Sequence, residues 1–328
     1  MRTGQGGEDF LLKDDVGAPP PKASPLGRAL AAIGDPWSFL VHQEAFFGVR
    51  RFDDFRRNLG VARSTLVARL AHLVDHALLE RRAYQQNPPR YEYRLTQTGL
   101  DSYPYAVSLT NWGDTWLAEP GNPPVRLRHK LCGKLVEPLA LCEACEREVR
   151  PEDVAVHLSA ATGLDDPQGG QTRISSRPEL YAAGRRTSVA AALSVIGDRW
   201  GFYILWLAFS QVTKFDHFHR LLGIARTVLA ERLDRLVRQG VLDRRPYSDR
   251  PSRHEYLLTA KGRDLCVPLL TLHDWGERRF GPSDRAGDVM HKACGEPLHI
   301  RLVCAQCRRL LKPYEVSIEP GAAGVTPV

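Results

Sequence analysis

One stretch decides the fold of this chain: FDHFHRLLGIARTVLAERLDRLVRQGVLDRRPY, residues 215–247. Its pattern predicts a short helix, a turn at residues 222–224, a longer helix over about 225–239, and then a strand. In the longer helix, apolar side chains recur at i, i+4, i+7 and i+8 and form one buried stripe: Leu229, Leu233, Leu236 and Val237. Most of the charged side chains, arginines above all, lie at or near the opposite face.

Two helices joined by a glycine-containing turn are typical of a helix-turn-helix, whose second helix enters the major groove of DNA. The charge balance suits a polyanionic partner, because 45 lysines and arginines exceed 38 aspartates and glutamates and give a net charge of +7. The N-terminus does not have the pattern of a signal peptide, and the longest apolar run, residues 201–209, is too short to span a bilayer. We therefore expect a cytoplasmic, nucleoid-associated protein with no membrane contact.

The pattern around this motif occurs twice in the chain, and the spacing between matching positions is constant. These positions include Gly34 and Gly197, Gly60 and Gly223, Tyr84 and Tyr247, and Trp112 and Trp275. In each copy we predict a first helix (25–33 and 187–196) that ends at a glycine, a buried apolar helix, the helix-turn-helix, two short strands around a polar loop, and a last helix. A β-hairpin directly after a recognition helix is a wing, so the chain is a tandem duplication of a winged helix-turn-helix.

Each copy resembles the HxlR-type winged helix-turn-helix transcriptional regulators. The resemblance covers residues 25–116 and 186–280 and rests on these runs: VIGDRW (195–200), FDHF (215–218), LGI (222–224), LAERLDRL (229–236), GVL (240–242), HEYLLTAKG (254–262) and, in copy one, PPRYEYRLT (88–96). Many family members carry a cysteine just ahead of the first helix. Here Ser24 and Thr187 stand at those positions, so we expect no thiol switch there.

The resemblance implies two-fold dimers, joined through their first and last helices, that bind near-palindromic operators in double-stranded DNA. This chain holds both halves covalently, and we expect an intramolecular pseudo-dimer on an imperfect palindrome, with repression as the mode of action. The fold class is mainly α with small β-hairpins (α+β). We expect a disordered leader (1–23), winged helix-turn-helix copy one (24–118), a zinc-ribbon-like extension (126–158), a linker (159–180), copy two (181–281) and a second extension (288–320).

Candidate DNA contacts fall into three groups. The first turn of each recognition helix offers side chains that reach base edges: Arg63, Ser64 and Thr65 in copy one, and Arg226 and Thr227 in copy two. Farther along, Arg69 and Arg232 hold either a phosphate or a neighbouring carboxylate, and Arg235 is grouped with them. The wings offer Arg90, Arg250 and Arg253 to the minor groove or to phosphates. Helix 225–240 has four arginines against two acidic residues, and helix 62–77 has two against one, so copy two should bind DNA more strongly.

Six of the seven cysteines form two matching clusters, each with a histidine. Copy one has His129-x2-Cys132 followed by Cys142-x2-Cys145, and copy two has His291-x2-Cys294 followed by Cys304-x2-Cys307. A Cys3His set satisfies tetrahedral zinc, so we predict two structural zinc sites, each formed by a short hairpin within one copy. The alternatives are reduced or redox-active thiols, or surface histidines beside a three-cysteine site.

No catalytic constellation is evident in the sequence, and we expect a protein that is not an enzyme. A closed four-ligand zinc site leaves no position for a substrate. Two other functions remain open: a winged-helix and zinc-hairpin module for protein interaction, and a sequence-independent architectural DNA protein. A small-molecule effector between the first and last helices is a further expectation without a residue set. The sequence leaves oligomerisation beyond the pseudo-dimer open.

Overall fold

A computed structural model describes residues 24–156, 188–196, 198–249, 252–281 and 289–321. It contains helices and small antiparallel strand pairs and confirms the α+β class. The predicted leader (1–23), the linker, Gly197 and Arg250 lie outside these described residues.

Copy one has the predicted order of elements, except that the predicted last helix is divided into two helices. The elements are α1 (Pro25–Ile33), α2 (Pro36–Phe46), α3 (Phe52–Leu59), α4 (Arg63–Asp75), β1 (Leu79–Gln85), β2 (Arg90–Leu95), α5 (Gln97–Asp101) and α6 (Tyr103–Trp116). Ser24 caps the start of α1, because its hydroxyl accepts a hydrogen bond from the Gly27 N–H. The turn between α3 and α4 needs Gly60, which adopts a left-handed φ of 62°.

Copy two repeats this order. Its elements are α7 (Val189–Ile196), α8 (Arg199–Phe209), α9 (Phe215–Leu222), α10 (Arg226–Arg238), β6 (Leu242–Asp249), β7 (Ser252–Leu258), α11 (Ala260–Arg263) and α12 (Cys266–Phe280). Gly223 has the same left-handed φ of 62° as its counterpart in copy one. Helix α8 is buried over most of its length, as its continuous apolar sequence predicts. The helix-turn-helix of the opening stretch is therefore α9 and α10, and its wing is β6 and β7.

The two copies pack against each other through their first and last helices. Helix α12 contacts both α1 and α6, and α6 contacts α7. At the centre of this interface the hydroxyls of Ser108 and Thr271, which are equivalent residues, lie 3.1 Å apart. On either side, two equivalent indoles each donate a hydrogen bond across to the other copy: Trp112 to the Lys261 carbonyl at 3.0 Å, and Trp275 to the Thr98 carbonyl at 3.1 Å.

The segments after each last helix form short strands: β3 (Val125–His129), β4 (Pro138–Cys142), β5 (Val154–Val156), β8 (Val289–His291), β9 (Glu296–Pro297), β10 (Ile300–Cys304) and β11 (Val316–Pro320). Three antiparallel pairs join one copy to the other: β3 with β11, β4 with β10, and β5 with β8. Short-range pairing within a copy is present, since β8 pairs with β9 and Leu141 bridges to Glu148, but the predicted hairpins are not self-contained. We call this interlocked unit, residues 125–156 and 289–320, the clasp.

Candidate nucleic-acid interface and metal centres

The first turns of α4 and α10 present the predicted base-reading side chains to solvent. Arg63, Ser64, Arg226 and Thr227 are exposed, and Thr65 is half-buried. They follow directly from the left-handed glycine turn, which directs the second helix away from the first.

The first arginine of each recognition helix lies over an aromatic ring that begins the preceding helix. The guanidinium of Arg63 is 5.1 Å from the centroid of the Phe52 ring, and that of Arg226 is 4.9 Å from the centroid of Phe215. Arg226 also donates to the Asp216 carboxylate at 2.9 Å. Cation–π contact and an exposed ion pair are individually weak, so they orient these arginines without making them unavailable to a stronger partner.

Arg69 and Arg232 point inward. Of the two predicted partners, a phosphate or a neighbouring carboxylate, the structure shows the carboxylate. Arg69 lies 3.1 Å from Asp35, and Arg232 lies 2.7 Å from Asp198. Both carboxylates also cap the start of the buried second helix, because Asp35 accepts one backbone N–H there and Asp198 accepts two. These two arginines fix the recognition helix against its own domain.

Arg235 is likewise bound internally, because its guanidinium donates to the Ser194 carbonyl on α7. With Arg232 and Arg235 set aside, α10 keeps Arg226 and Arg238 against Glu231 and Asp234. Helix α4 without Arg69 keeps Arg63 against Asp75. The outward-facing charge of the two helices is thus balanced in both copies, which removes the basis for the expectation that copy two binds DNA more strongly.

Other exposed side chains of the recognition helices were missed by the sequence reasoning. Val67 is 51% exposed on the same face of α4 as Arg63 and Ser64. At the equivalent positions copy two has Ala230 and, next to it, Glu231, whose side chain is 70% exposed. The sequence signal for this position is that Val67 lies off the buried stripe formed by Leu66, Leu70 and Leu73.

The wings combine exposed tyrosines with cations. Arg90 begins β2 and Arg253 lies in β7, and both are exposed. Beside them, three exposed tyrosines each have a cation over the ring: Arg51 over Tyr84 at 4.9 Å, Arg81 over Tyr91 at 3.5 Å, and Lys214 over Tyr247 at 5.2 Å. The recurrence of Tyr84 as Tyr247 is the sequence signal that points to these cation-bearing wings.

The eight predicted metal ligands come together in two clusters, but each cluster draws on both copies. The first shared cluster is His129, Cys132, Cys304 and Cys307, and the second shared cluster is Cys142, Cys145, His291 and Cys294. Within-copy grouping is therefore wrong, although the ligand residues themselves are the predicted ones. The strand pairs of the clasp explain the exchange, because β4 and β10 run antiparallel and bring the cysteine pair of each copy to the histidine of the other.

Distances within both clusters match the edges of a zinc tetrahedron. In the first shared cluster His129 Nδ1 lies 3.5 Å from Cys132 Sγ and 3.3 Å from Cys307 Sγ. The Sγ atoms of Cys132 and Cys304 are 3.9 Å apart. Zinc–sulfur bonds of about 2.3 Å give a tetrahedral edge of about 3.8 Å, whereas a disulfide needs about 2.05 Å. The geometry is that of four ligands around one ion.

The second shared cluster has the same dimensions. His291 Nδ1 is 3.3 Å from both Cys145 Sγ and Cys294 Sγ, and the Sγ atoms of Cys142 and Cys294 are 4.0 Å apart. Both histidines are fully buried. Backbone hydrogen bonds from Lys134 and Arg147 lower the pKa of the thiols of Cys132 and Cys145 respectively, whereas burial raises the pKa of Cys142 and Cys304. These residues can therefore hold metal ions.

A family model described as HxlR-like helix-turn-helix matches residues 32–120 and again residues 195–284, together more than half of the chain. The chain belongs to this family. The double match also confirms the tandem duplication and the interpretation of each copy as a winged helix-turn-helix. As a family, these proteins bind DNA and regulate transcription.

Several relatives are similar to part of this HxlR-like chain. The uncharacterized HTH-type transcriptional regulator Rv3095 of Mycobacterium tuberculosis is 45% identical over 129 residues, which is 39% of this chain and 82% of the relative. YdeP of Bacillus subtilis, another such regulator, is 34% identical over 91 residues, or 27% of this chain and 71% of YdeP. The redox regulator HypR in its reduced form covers 28% of this chain and 92% of HypR, at 30% identity and a TM-score of 0.27.

A network of charged side chains connects the clasp of this HxlR-like protein to helix α12. Asp274 accepts from His299 at 2.8 Å and from Arg278 at 2.8 Å, and Arg278 also donates to Glu143 at 2.7 Å. Glu143 lies between the ligands Cys142 and Cys145. The hydrogen bond to Asp274 raises the pKa of His299. The second shared cluster is thus tied to the helix at the interface between the copies.

On the opposite side of the clasp, two cavities adjoin helix α6. The larger, of about 90 Å³, is lined by Asp114, Arg126 and Leu135 among others, and the smaller, of about 30 Å³, by Phe46, Tyr103 and further apolar residues. Burial raises the pKa of Asp114 to about 6, although the hydroxyl of Ser188 donates to it.

Among the described residues no helix combines the length and apolarity needed to cross a membrane.

Proposed function

We propose that this HxlR-like regulator binds double-stranded DNA in a sequence-specific manner as a covalent pseudo-dimer. One recognition helix and one wing of each copy would occupy successive major and minor grooves of an imperfectly palindromic operator. The proposed role is non-enzymatic and cytoplasmic, on nucleoid DNA, and its expected mode is repression.

The observation that carries the proposal is the pairing of two solvent-facing recognition helices on one chain through a buried interface. Ser108 and Thr271 meet at its centre, and the reciprocal hydrogen bonds of Trp112 and Trp275 lie on either side. A relation of this kind matches a two-fold arrangement of DNA half-sites, because operator palindromy mirrors the symmetry of the protein.

Base recognition is assigned to the exposed face of each recognition helix. Arg63 and Arg226 would donate to guanine O6 and N7, and Ser64 and Thr227 to neighbouring base edges. At the next turn the copies differ. Val67 presents methyl groups that suit the C5-methyl of thymine, whereas the exposed carboxylate of Glu231, which also pairs with Arg232 at 2.9 Å, suits the N4 amino group of cytosine. The two half-sites are therefore unequal because of these side chains and not because of net charge.

The wings supply the backbone contacts. Arg90, Arg253 and the partly screened Arg51 and Lys214 would approach phosphates or the minor groove, together with Arg250. Arg69, Arg232 and Arg235 are assigned to the support of the recognition helices and not to DNA, because each has an internal partner.

The experiment that tests this function is selection of bound fragments from genomic DNA by the purified full-length chain. We expect a consensus with two unequal half-sites whose centres are about one helical turn apart. Binding to that fragment should weaken with salt at a log–log slope near −7, as expected for about 8 phosphate contacts. Recovery of fragments without a shared sequence would favour the architectural alternative.

The interaction-module alternative has one observation in its favour. Four large apolar side chains are exposed on the clasp: Leu131 (59%), Leu135 (43%), Leu310 (43%) and Tyr314 (64%). Exposed apolar side chains favour protein contacts where they form one contiguous patch. A purified chain with no salt-dependent affinity for any genomic fragment would favour this alternative over DNA binding.

We also propose that both shared clusters hold zinc as a structural cofactor. Three thiolates and one imidazole in tetrahedral spacing are a zinc ligand set, and all four positions are filled by protein. Metal analysis of protein purified without chelator should give about two zinc ions per chain. A chain free of metal under these conditions would exclude the zinc sites and leave the DNA proposal standing.

A further inference from the structure

We propose that each of the two zinc ions is a cross-link between the copies, so that metal occupancy stabilises both winged helix-turn-helix domains as one cooperative unit. The inference rests on the zinc sites proposed above. It goes further, because a zinc ribbon contained within one copy would stabilise only its own hairpin.

The first step is the origin of the ligands. His129 Nδ1 lies 3.3 Å from Cys307 Sγ although 178 residues separate them, and Cys145 Sγ lies 3.3 Å from His291 Nδ1 across 146 residues. Each site receives one His-x2-Cys pair from one copy and one Cys-x2-Cys pair from the other. Removal of either copy would leave two ligands in each site, which is too few for a structural zinc ion.

The second step is the backbone around the sites. The ladders β3–β11, β4–β10 and β5–β8 each join the two copies, so each extension is held by backbone hydrogen bonds to the other as well as by those of its own turns. An isolated two-stranded ladder is marginally stable in water. The metal ions therefore add cross-links to a set of ladders that are weak without them.

The third step is the connection to the helical interface. On one side Arg278 of α12 donates to Glu143, and Asp274 accepts from His299, so α12 is tied to the second shared cluster. On the other side Leu127 of β3 and Val316 of β11 line a cavity together with Tyr103 of α6. Helices α6 and α12 carry the contacts between the copies. A metal ion that fixes the clasp therefore also holds the interface closed.

The crossed ligation is tested by two variants with the same number and kind of substitutions. The crossed-site variant replaces His129 with Ala and Cys132, Cys304 and Cys307 with Ser. The same-copy variant replaces His129 with Ala and Cys132, Cys142 and Cys145 with Ser. With ligands shared as in the structure, the crossed-site variant loses one site and retains one zinc ion, whereas the same-copy variant retains none.

Within-copy sites would reverse these two results, because the same-copy variant would then keep the complete ligand set of copy two. That reversal, or equal zinc content in the two variants, would overturn the proposal. Circular dichroism checks that helix content matches the parent chain. The amount of zinc that a thiol-blocking reagent releases per chain gives a second count that is independent of metal analysis.

The stabilising role is tested by thermal unfolding of the full-length chain before and after chelation. We expect the melting temperature to fall by roughly 10 °C or more, with both copies unfolding in one transition. Unchanged melting after complete metal removal, or loss of the clasp alone in a separate small transition, would overturn the cross-link. Neither measurement uses DNA, so failure here is distinguishable from failure of the proposed function.

Discussion

The arginine that begins each recognition helix is oriented before any DNA arrives. Arg63 lies over Phe52 and Arg226 over Phe215, and Arg226 also pairs with Asp216 in an exposed contact. Such contacts reduce the number of rotamers that must be fixed on binding. Each is weak in water, so both would yield to a guanine in the proposed complex.

Replacing Arg226 with Ala tests the base contact. We expect a loss of about 1 to 3 kcal/mol on the selected operator and relaxed preference at one base pair of one half-site. Competition binding to a panel of operators with single base changes measures both effects. Arg150→Ala, which removes an exposed arginine from the clasp, is the control and should leave the panel unchanged. A uniform loss on all sequences would reassign Arg226 to a phosphate.

The second turn of the recognition helix differs between the copies, and giving copy one the residues of copy two tests why the proposed half-sites are unequal. A chain with Val67→Ala and Ala68→Glu presents the side chains of Ala230 and Glu231 in copy one. Fragment selection should then give two half-sites that resemble each other, with the thymine preference lost, at a change of about 1 to 3 kcal/mol for the altered base pair. An unchanged consensus would show that these positions do not face bases.

At the scale of the element, the recognition helix is held by an ion pair to the cap of a neighbouring helix. Asp198 accepts the Trp200 N–H at 3.0 Å and pairs with Arg232 at 2.7 Å, where both side chains are largely shielded from water. The carboxylate therefore satisfies one helix end and fixes the position of the next helix.

Arg232→Ala should destabilise the chain without changing which bases it prefers. Removing one partner of a shielded ion pair leaves an unpaired carboxylate, and we expect a loss on the order of 3 kcal/mol in the free energy of unfolding. Denaturant unfolding measures it. The matched control is Arg245→Ala, whose pair with Asp243 is exposed and should be worth less than about 1 kcal/mol. A stable variant with altered base preference would return Arg232 to the DNA surface.

Much of the element order was predictable because local signals fix it. Helix caps such as Ser24, the glycine turns and the apolar stripe of α10 determine starts, ends and buried faces within a residue or two. The role of Arg232 was left with two alternatives, since the position of Asp198 beside it depends on how α8 and α10 pack. The distance between Asp198 and Arg232 cannot be read from short-range sequence patterns.

For the metal ligands, too, the local sequence identified the residues but not how they group in the folded chain. All eight were identified from their two-residue spacings, which place each pair on one tight turn. The spacing between Cys132 and Cys142 permits a hairpin within one copy as well as an exchange between copies, so the grouping was not determined. Pairing of β4 with β10, which belong to different copies and lie far apart in the chain, decided it.

At the scale of the whole molecule, two buried neutral histidines make the interior sensitive to acid. Burial lowers the pKa of His42 to about 4, and it does the same to His273, which stacks on Trp206. Because the folded values lie below the unfolded value of about 6.5, their contribution is intact above pH 6.5 and is lost progressively as the pH falls towards 4.

We expect each histidine to reduce the free energy of unfolding by about 2 kcal/mol between pH 7.5 and 5.0. Denaturant unfolding at both pH values measures the loss. His42→Gln should show a smaller difference between the two pH values than the parent chain, whereas His217→Gln, at an exposed position, should show the same difference. An unchanged difference in His42→Gln would mean that His42 does not resist protonation in the folded state. Comparison with the control removes any contribution from acid release of metal.

Because the strand pairs of the clasp join the two copies, the first strand of each pair is translated long before its partner. Arg128 of β3 leaves the ribosome 191 residues before Glu319 of β11, to which its side chain is bound in the finished protein. Strand β4 likewise emerges long before its partner β10, because the whole of the second winged domain lies between them. During that interval the clasp strands of copy one and its three thiols have no partners from copy two. Until the second copy has been translated, the thiols of the nascent chain are therefore exposed to oxidation, and its unpaired strands are exposed to pairing with another nascent chain.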